Sequence, residues 1–302
     1  MRPLYRRALV GALVLLTAVL AIQSVVSAAK KKPLAHNDIP PAMVIPSRPA
    51  DAITGSEFAR RTEGMSEAER QAAALVELRS GNVPPSSRRL TAVSMTGESP
   101  DGQPVTATVW VMPDYLSIGS DQDFLRAPLT YSSAAAIANE FGAVLPTPKI
   151  VDAVYDRSTE RLTPQPLPAG RGMRSSEYCL RHHEMIQQQL QRIEPRRIGD
   201  LVAGHKKDVV ITNRLLKKPR QIAIYGWHRS SGKPIQPLST VHEAEYADYS
   251  HGVRLVSRTV RIDGQKHSIV RALEDPRVAP ALSYEGPLMN VDRLMRRTVP
   301  IP

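Results

Sequence analysis

The sequence has one cysteine, Cys179, so no disulfide can form within the chain. Aromatics are 5% with three Phe, which leaves Val, Ile, Leu and Ala to build the core with a few Tyr and both Trp. Chemistry-bearing signatures are scarce as well. No glycine-rich phosphate loop, dinucleotide fingerprint or G-x-S-x-G elbow occurs, so kinases, nucleotide-dependent dehydrogenases and typical α/β-hydrolases lose their support. Proline, by contrast, is abundant, 26 of 302 residues, and favours loops and extended segments over long helices. Hydrophobic residues at 42% and charged residues at 23% exclude collagen-like, coiled-coil and wholly disordered chains. At this length a hydrophobic core stabilises a fold without cross-links.

Residues 1–28 read as a secretion signal. Arg2, Arg6 and Arg7 precede the apolar run Ala8 to Ile22, and Val26-Ser27-Ala28 offers small residues for cleavage. The alternative is an uncleaved anchor, since the apolar stretch approaches spanning length; the membrane would then be a partner through this segment alone. Either way the remainder is delivered outside the cytoplasm, periplasmic or extracellular. Residues 29–52, with Lys30-Lys31-Lys32 and five prolines, read as an extended tether. Residues 53–302 read as a single domain, because no later linker is long or polar enough to divide the core. The formal charge is +11, and about +8 without the three signal arginines. For an exported basic protein that favours an anionic polymer or envelope glycan as partner, and no nucleic acid is expected.

Local signals place the elements. Ser66-Glu67-Ala68-Glu69 is a capping box that opens a helix ending near Gly81. Leu90 to Met112 predicts a hairpin turning at Pro100-Asp101-Gly102. Ser132 or Ser133 should cap a helix through Phe141, and Thr147 another, with Pro148 at its first position. A proline-rich loop, Arg161 to Gly172, precedes a helix from Ser176 to Ile193. Strands are expected at Asp208–Asn213 and Gln221–His228. Two more, Val253–Ile262 and Lys266–Leu273, flank the turn signal Asp263-Gly264. Segregated helices and strands argue for an α+β fold, a helical N-terminal half packed on a mixed or antiparallel β-rich C-terminal half.

Four of the eight His (His205, His228, His242 and His251) fall in one stretch of the chain with Lys207, Asp208, Asp248 and Ser250. Imidazole moves protons near neutral pH, a carboxylate fixes its tautomer, and lysine steadies a developing oxyanion. The expected catalytic set is therefore His205, Lys207, Asp208, His228, Asp248, Ser250 and His251. In it His251 or His228 carries the proton, Asp248 orients it, Lys207 or His205 offsets negative charge, and Ser250 is a possible nucleophile. Tyr225, Trp227, His242, Tyr249 and Arg254 are the expected substrate-binding residues. The structural alternative has Asp248 closing an Asx-turn near Ser250 with the histidines half-buried. His228, His242, Asp248 and His251 are ligand types that suit zinc, but no His-x-x-x-His pair marks a site, and no metal is expected. Pro113-Asp114-Tyr115 and Ser120-Asp121-Gln122-Asp123 are either carboxylates lining a cleft or turn-forming loops. Arg254, Arg258 and Arg261 read mostly as charge on a solvated strand side.

Cys179 lies near the start of a predicted helix, with histidine-bearing strands after it. That order resembles papain-like and NlpC/P60-type cysteine peptidases, and Ile198-Gly199-Asp200-Leu201-Val202 is similar to a segment of the latter. The chain departs from them at Leu180-Arg181-His182-His183, where small residues normally follow the nucleophile. Cys179, His183, Ile186, Leu190 and Ile193 also share one helical face, as a buried structural cysteine would. The expectation is an exported hydrolase acting on a cell-envelope or extracellular polymer. A non-catalytic protein binding an anionic glycan is the alternative, and a cysteine peptidase using Cys179 the third reading.

Overall fold

Both hydrogen bonds of the predicted capping box form: the Glu69 N–H donates to Ser66 Oγ at 3.3 Å, and the Ser66 N–H to the Glu69 carboxylate at 2.8 Å. In the computed structural model, which describes residues 42–193 and 197–296, this box follows α1 (Gly55–Arg61) and opens α2 (Glu67–Arg79). The expected secretion signal and the tether as far as residue 41 lie outside the described residues. The rest of that stretch, 42–52, is packed rather than free. Met43 and Ile45 sit against the core, and the Val44 N–H donates to the Phe141 carbonyl at 2.9 Å. Alternation of apolar side chains between prolines is what lets this segment bury one side.

The predicted hairpin is β1 (Thr91–Glu98) and β2 (Pro104–Val111), in antiparallel register with Thr91 opposite Val111. Val105, Ala107, Val109 and Val111 of β2 are buried, as their alternation requires. A smaller hairpin, β3 (Ser117–Gly119) and β4 (Phe124–Arg126), leads to α3 (Tyr131–Glu140). Thr130, not Ser132 or Ser133, caps α3, its hydroxyl accepting from the Ser133 N–H at 3.2 Å. After β5 (Ala143–Val144), Thr147 caps α4 (Pro148–Arg157) as predicted. β6 (Glu160–Arg161), α5 (Ser176–Gln191) and β7 (Val202–Ala203) follow, with β6 parallel to β7.

Next come β8 (Lys207–Val209), α6 (Arg214–Lys217), β9 (Ile224–His228), β10 (Pro234–Ser239) and β11 (His251–Gly252). The chain continues as β12 (Val256–Ile262), β13 (Gln265–Ser268), α7 (Ile269–Glu274) and α8 (Val291–Met295). The strand expected at Lys266–Leu273 therefore breaks at Ser268. Ile269, Ala272 and Leu273 bury one helical face, and a strand would have turned Ala272 away from the other two. Asp263 and Gly264 make the predicted turn, both at positive φ (48° and 83°).

The protein is α+β. Its larger sheet runs β1-β2-β12-β13 with β5 also on β12, so strands from both ends of the chain share one sheet. A second sheet runs β10-β9-β8-β11, in which β11 lies parallel to β8 with His251 opposite Lys207 and Gly252 opposite Asp208. Among the described residues no helix is long and apolar enough to cross a membrane. Gly252 is where the second sheet meets the N-terminal half, because a Cβ there would lie 2.6–2.9 Å from the Tyr115 ring. Gly252→Ala should cost about 1–3 kcal/mol through this overpacking, read as a lower urea midpoint with an unchanged m-value.

Candidate functional site

β8, β9 and β11 carry Lys207, Asp208, Tyr225, Trp227, His228 and His251 on one sheet. His205, His242, Asp248, Tyr249, Ser250 and Arg254 lie in the connecting segments, and several of these side chains find their partners in the N-terminal half. His205 Nε2 lies 3.1 Å from Asp114 Oδ1, and the same carboxylate receives Arg126 at 2.6 and 3.2 Å. Asp208 accepts from the Tyr115 hydroxyl at 2.7 Å, and its other oxygen is 4.0 Å from Arg254 Nε. Arg254 donates to the carbonyls of Met112 at 2.7 Å and Val202 at 2.6 Å, and its guanidinium lies 4.5 Å from the Tyr115 ring centre. At 1% exposure it does not belong to a solvated strand side; the free carbonyls beside the strand ends draw it inward. Lys206, also buried, donates to the Tyr249 carbonyl at 2.6 Å and lies 3.4 Å from His182 Nδ1.

Asp248 closes an Asx-turn: its Oδ1 accepts from the Ser250 N–H at 2.8 Å and the Ser250 hydroxyl at 2.5 Å, and its Oδ2 from the Tyr246 hydroxyl at 3.0 Å. Ser250 and His251 are fully buried, and neither ring nitrogen of His251 has a hydrogen-bond partner among the described residues. His242 is half-buried and stacks on Tyr246 with ring centres 4.2 Å apart. Lys207, also half-buried, stands over the Trp227 ring at 5.2 Å. Trp227, Tyr249, Leu167 and Cys179 form a buried apolar cluster, with the Tyr249 hydroxyl accepting from the Leu167 N–H at 2.7 Å. Burial raises the Cys179 thiol above its ordinary value, the opposite of what activates a nucleophilic cysteine.

Desolvation governs the electrostatics of this interior. It pushes Asp208 up to about 6 and Lys206 down to about 8. His205 and His251 are both lowered to about 4 for the same reason. Burial alone would raise Asp114, but the Arg126 guanidinium and His205 outweigh it and hold the carboxyl well below its usual range. Burial is likewise outweighed at Asp248, by His251, Lys207 and the bonds from Ser250. Among the described residues no group of three or more His, Cys, Asp and Glu side chains is arranged to hold a metal ion.

Two predicted residues, His228 and Tyr225, share a cluster around the partly exposed Asp152. His228 Nε2 lies 2.7 Å from Asp152 Oδ1, while the hydroxyls of Tyr225 (3.0 Å) and Tyr284 (2.8 Å) donate to Asp152 Oδ2. Tyr155 stacks on the His228 ring at 4.5 Å. Burial and then Asp152 raise both phenols, so Tyr225 and Tyr284 remain protonated donors. Sequence reasoning missed Asp152, Tyr284, Asp114 as a histidine partner, and Arg126. The one local trace of Asp152 is its spacing of three from Tyr155 on α4, which sets both beside His228.

The buried histidines give the fold a signed pH dependence. His205 and His251 titrate near 4 when folded against an ordinary 6.5, so their contribution is complete above 6.5 and is lost as pH falls towards 4. Asp208 acts oppositely, contributing below its ordinary 3.8 and losing that contribution as pH rises through about 6. These two histidines, with His182 and His183 lowered further still by burial, outweigh it. Unfolding free energy should therefore drop between pH 6.5 and 4.5, by about 1.4 kcal/mol per pH unit for each net proton. His251→Leu should make that drop shallower by one proton's worth in urea titrations across the range, and an unchanged slope would contradict the burial of His251. Comparison with protein-family models, with curated proteins and with solved structures finds no match to this chain.

Proposed function

We propose that the chain is an exported hydrolase acting on a cell-envelope or extracellular polymer, with His228 as proton carrier and Asp152 as the carboxylate that orients it. The observation that carries this reading is the convergence of His228, itself 2% exposed, with Tyr225 and Tyr284 on an Asp152 that solvent reaches. The Asp152 side chain is 22% exposed and Tyr284 64%. With Nε2–H directed at Asp152, His228 keeps Nδ1 to take a proton from attacking water and return it to the leaving group. Tyr225 and Tyr284 supply hydroxyl donors beside the reacting bond. Lys207 stands over the Trp227 ring and beside Asp248 and His251, away from this dyad. His205, Asp208, Asp248, Ser250 and His251 are buried and support the sheet from within.

A non-catalytic protein binding an anionic glycan through its basic surface is the second reading, favoured by the deep burial of Ser250 and His251. Salt separates the two, because surface attraction is screened while turnover at a partly buried dyad is not. Asp152→Asn and His228→Asn should each lower the release of soluble fragments from purified cell-wall polymer by at least ~10²-fold, the scale of a lost general base. Circular dichroism should stay unchanged in both. Full activity in both folded variants would end the hydrolase reading at this dyad.

A further inference from the structure

Between α1, the β3–β4 hairpin and α5 lie two adjoining cavities of about 480 and 600 Å³, which share Ser56, Leu180 and Glu184. The first is lined by Gln122, Gln187, Gln188 and Gln191, together with Phe124 and His183. Two carboxylates, Asp123 and Glu184, also line it, and no Lys or Arg does. The second carries Arg60 and Arg70 beside Glu63, Glu177 and Glu184, so carboxylates outnumber cations along the groove and disfavour an anionic strand there.

Arg126, buried behind the cavity, sets the polarity of its wall. One guanidinium nitrogen lies 3.3 Å from His183 Nδ1 and 3.3 Å from Gln187 Oε1, while the others hold Asp114. Guanidinium can only donate, so His183 Nδ1 accepts and the ring proton resides on Nε2. Burial, and then the positive Arg126, keep that imidazole neutral. By the same rule the Gln187 oxygen is taken and its amide NH₂ is left to donate. Two donors are thus fixed by one buried cation. Acceptors stand near them: Asp123 Oδ1 takes the Ser56 N–H and hydroxyl at 2.8 and 3.0 Å, leaving Oδ2, and Glu184 adds a second carboxylate. Phe124 supplies an aromatic surface, its ring 5.5 Å from that of His183.

We infer that this groove binds a neutral glycan strand. Vicinal hydroxyls pair with planar amides and carboxylates as donor and acceptor at once, and the C–H face of a sugar ring packs on an aromatic ring. Two adjoining cavities give room for several sugar units. The groove is carried by elements other than those holding Asp152 and His228, so the inference stands whether or not that dyad hydrolyses anything.

The test is isothermal titration of the full chain with fully N-acetylated chitotetraose and with cellotetraose, beside a neutral Gly-Ser octapeptide and polygalacturonate. Binding of a neutral oligosaccharide is expected, with Kd changing less than about 2-fold between 50 and 500 mM NaCl. Gln187→Leu should raise Kd at least ~10-fold at a temperature where circular dichroism shows the variant fully folded, although losing an acceptor for the buried Arg126 lowers its urea midpoint. Absence of binding to both oligosaccharides, preference for the peptide or polygalacturonate, or a Gln187→Leu variant that binds like the parent would each overturn the inference. Hydrolysis assayed on the same variant distinguishes failure here from failure at Asp152.

Discussion

Three cations, Arg126, Lys206 and Arg254, are taken almost wholly out of water, and much of the fold is arranged to replace the hydration they lose. Arg126 on β4 reaches Asp114, His183 and Gln187; Arg254 reaches two carbonyls and the Tyr115 ring; Lys206 reaches the Tyr249 carbonyl. Each set of partners comes from chain segments far apart in sequence. Stranding one such charge costs roughly 3–5 kcal/mol, so a misplaced α5 or β11 is penalised well beyond its lost apolar contacts. These ties fix how the β8–β11 strand pair is held against the N-terminal half.

Local chemistry was well written into the sequence. The capping box at Ser66, the hairpin around Asp101, Thr147 with Pro148, and the Asp263-Gly264 turn all depend on residues within a few positions of one another, which a linear reading captures. Where the reading failed, competing local signals or distant partners decided. Ser132 and Ser133 are as good a cap as Thr130 by residue type, and only the path of the chain out of β4 selects among them. Met43 and Ile45 carried too little pattern among prolines to show that they would pack.

The candidate site was legible by half. His205, His228 and Asp208 were marked by their clustering; β8 and β9 bring Asp208 and His228 to one sheet, and His205 lies in the bend just before β8. Their carboxylate and hydroxyl partners, Asp114, Asp152 and Tyr115, lie much earlier in the chain and in no recognisable motif, so no spacing rule joins them. Asp248 and Ser250 show the converse. They are neighbours in sequence and bond to each other, but in a turn that consumes the hydroxyl. Proximity along the chain revealed a backbone device there, whereas the His228–Asp152 pair required the fold.

The placement of β12 bears on how this molecule is made. It is the strand that joins β2 to β5 in the larger sheet, and it is synthesised well over a hundred residues after the β1–β2 hairpin. Until Val256–Ile262 emerges, β2 has an unpaired edge carrying Val109 and Val111, and closing the sheet requires a long loop to be ordered first. A ribosome stalled short of that strand releases a chain with an exposed, β-branched edge, the kind of surface that recruits chaperones or self-associates.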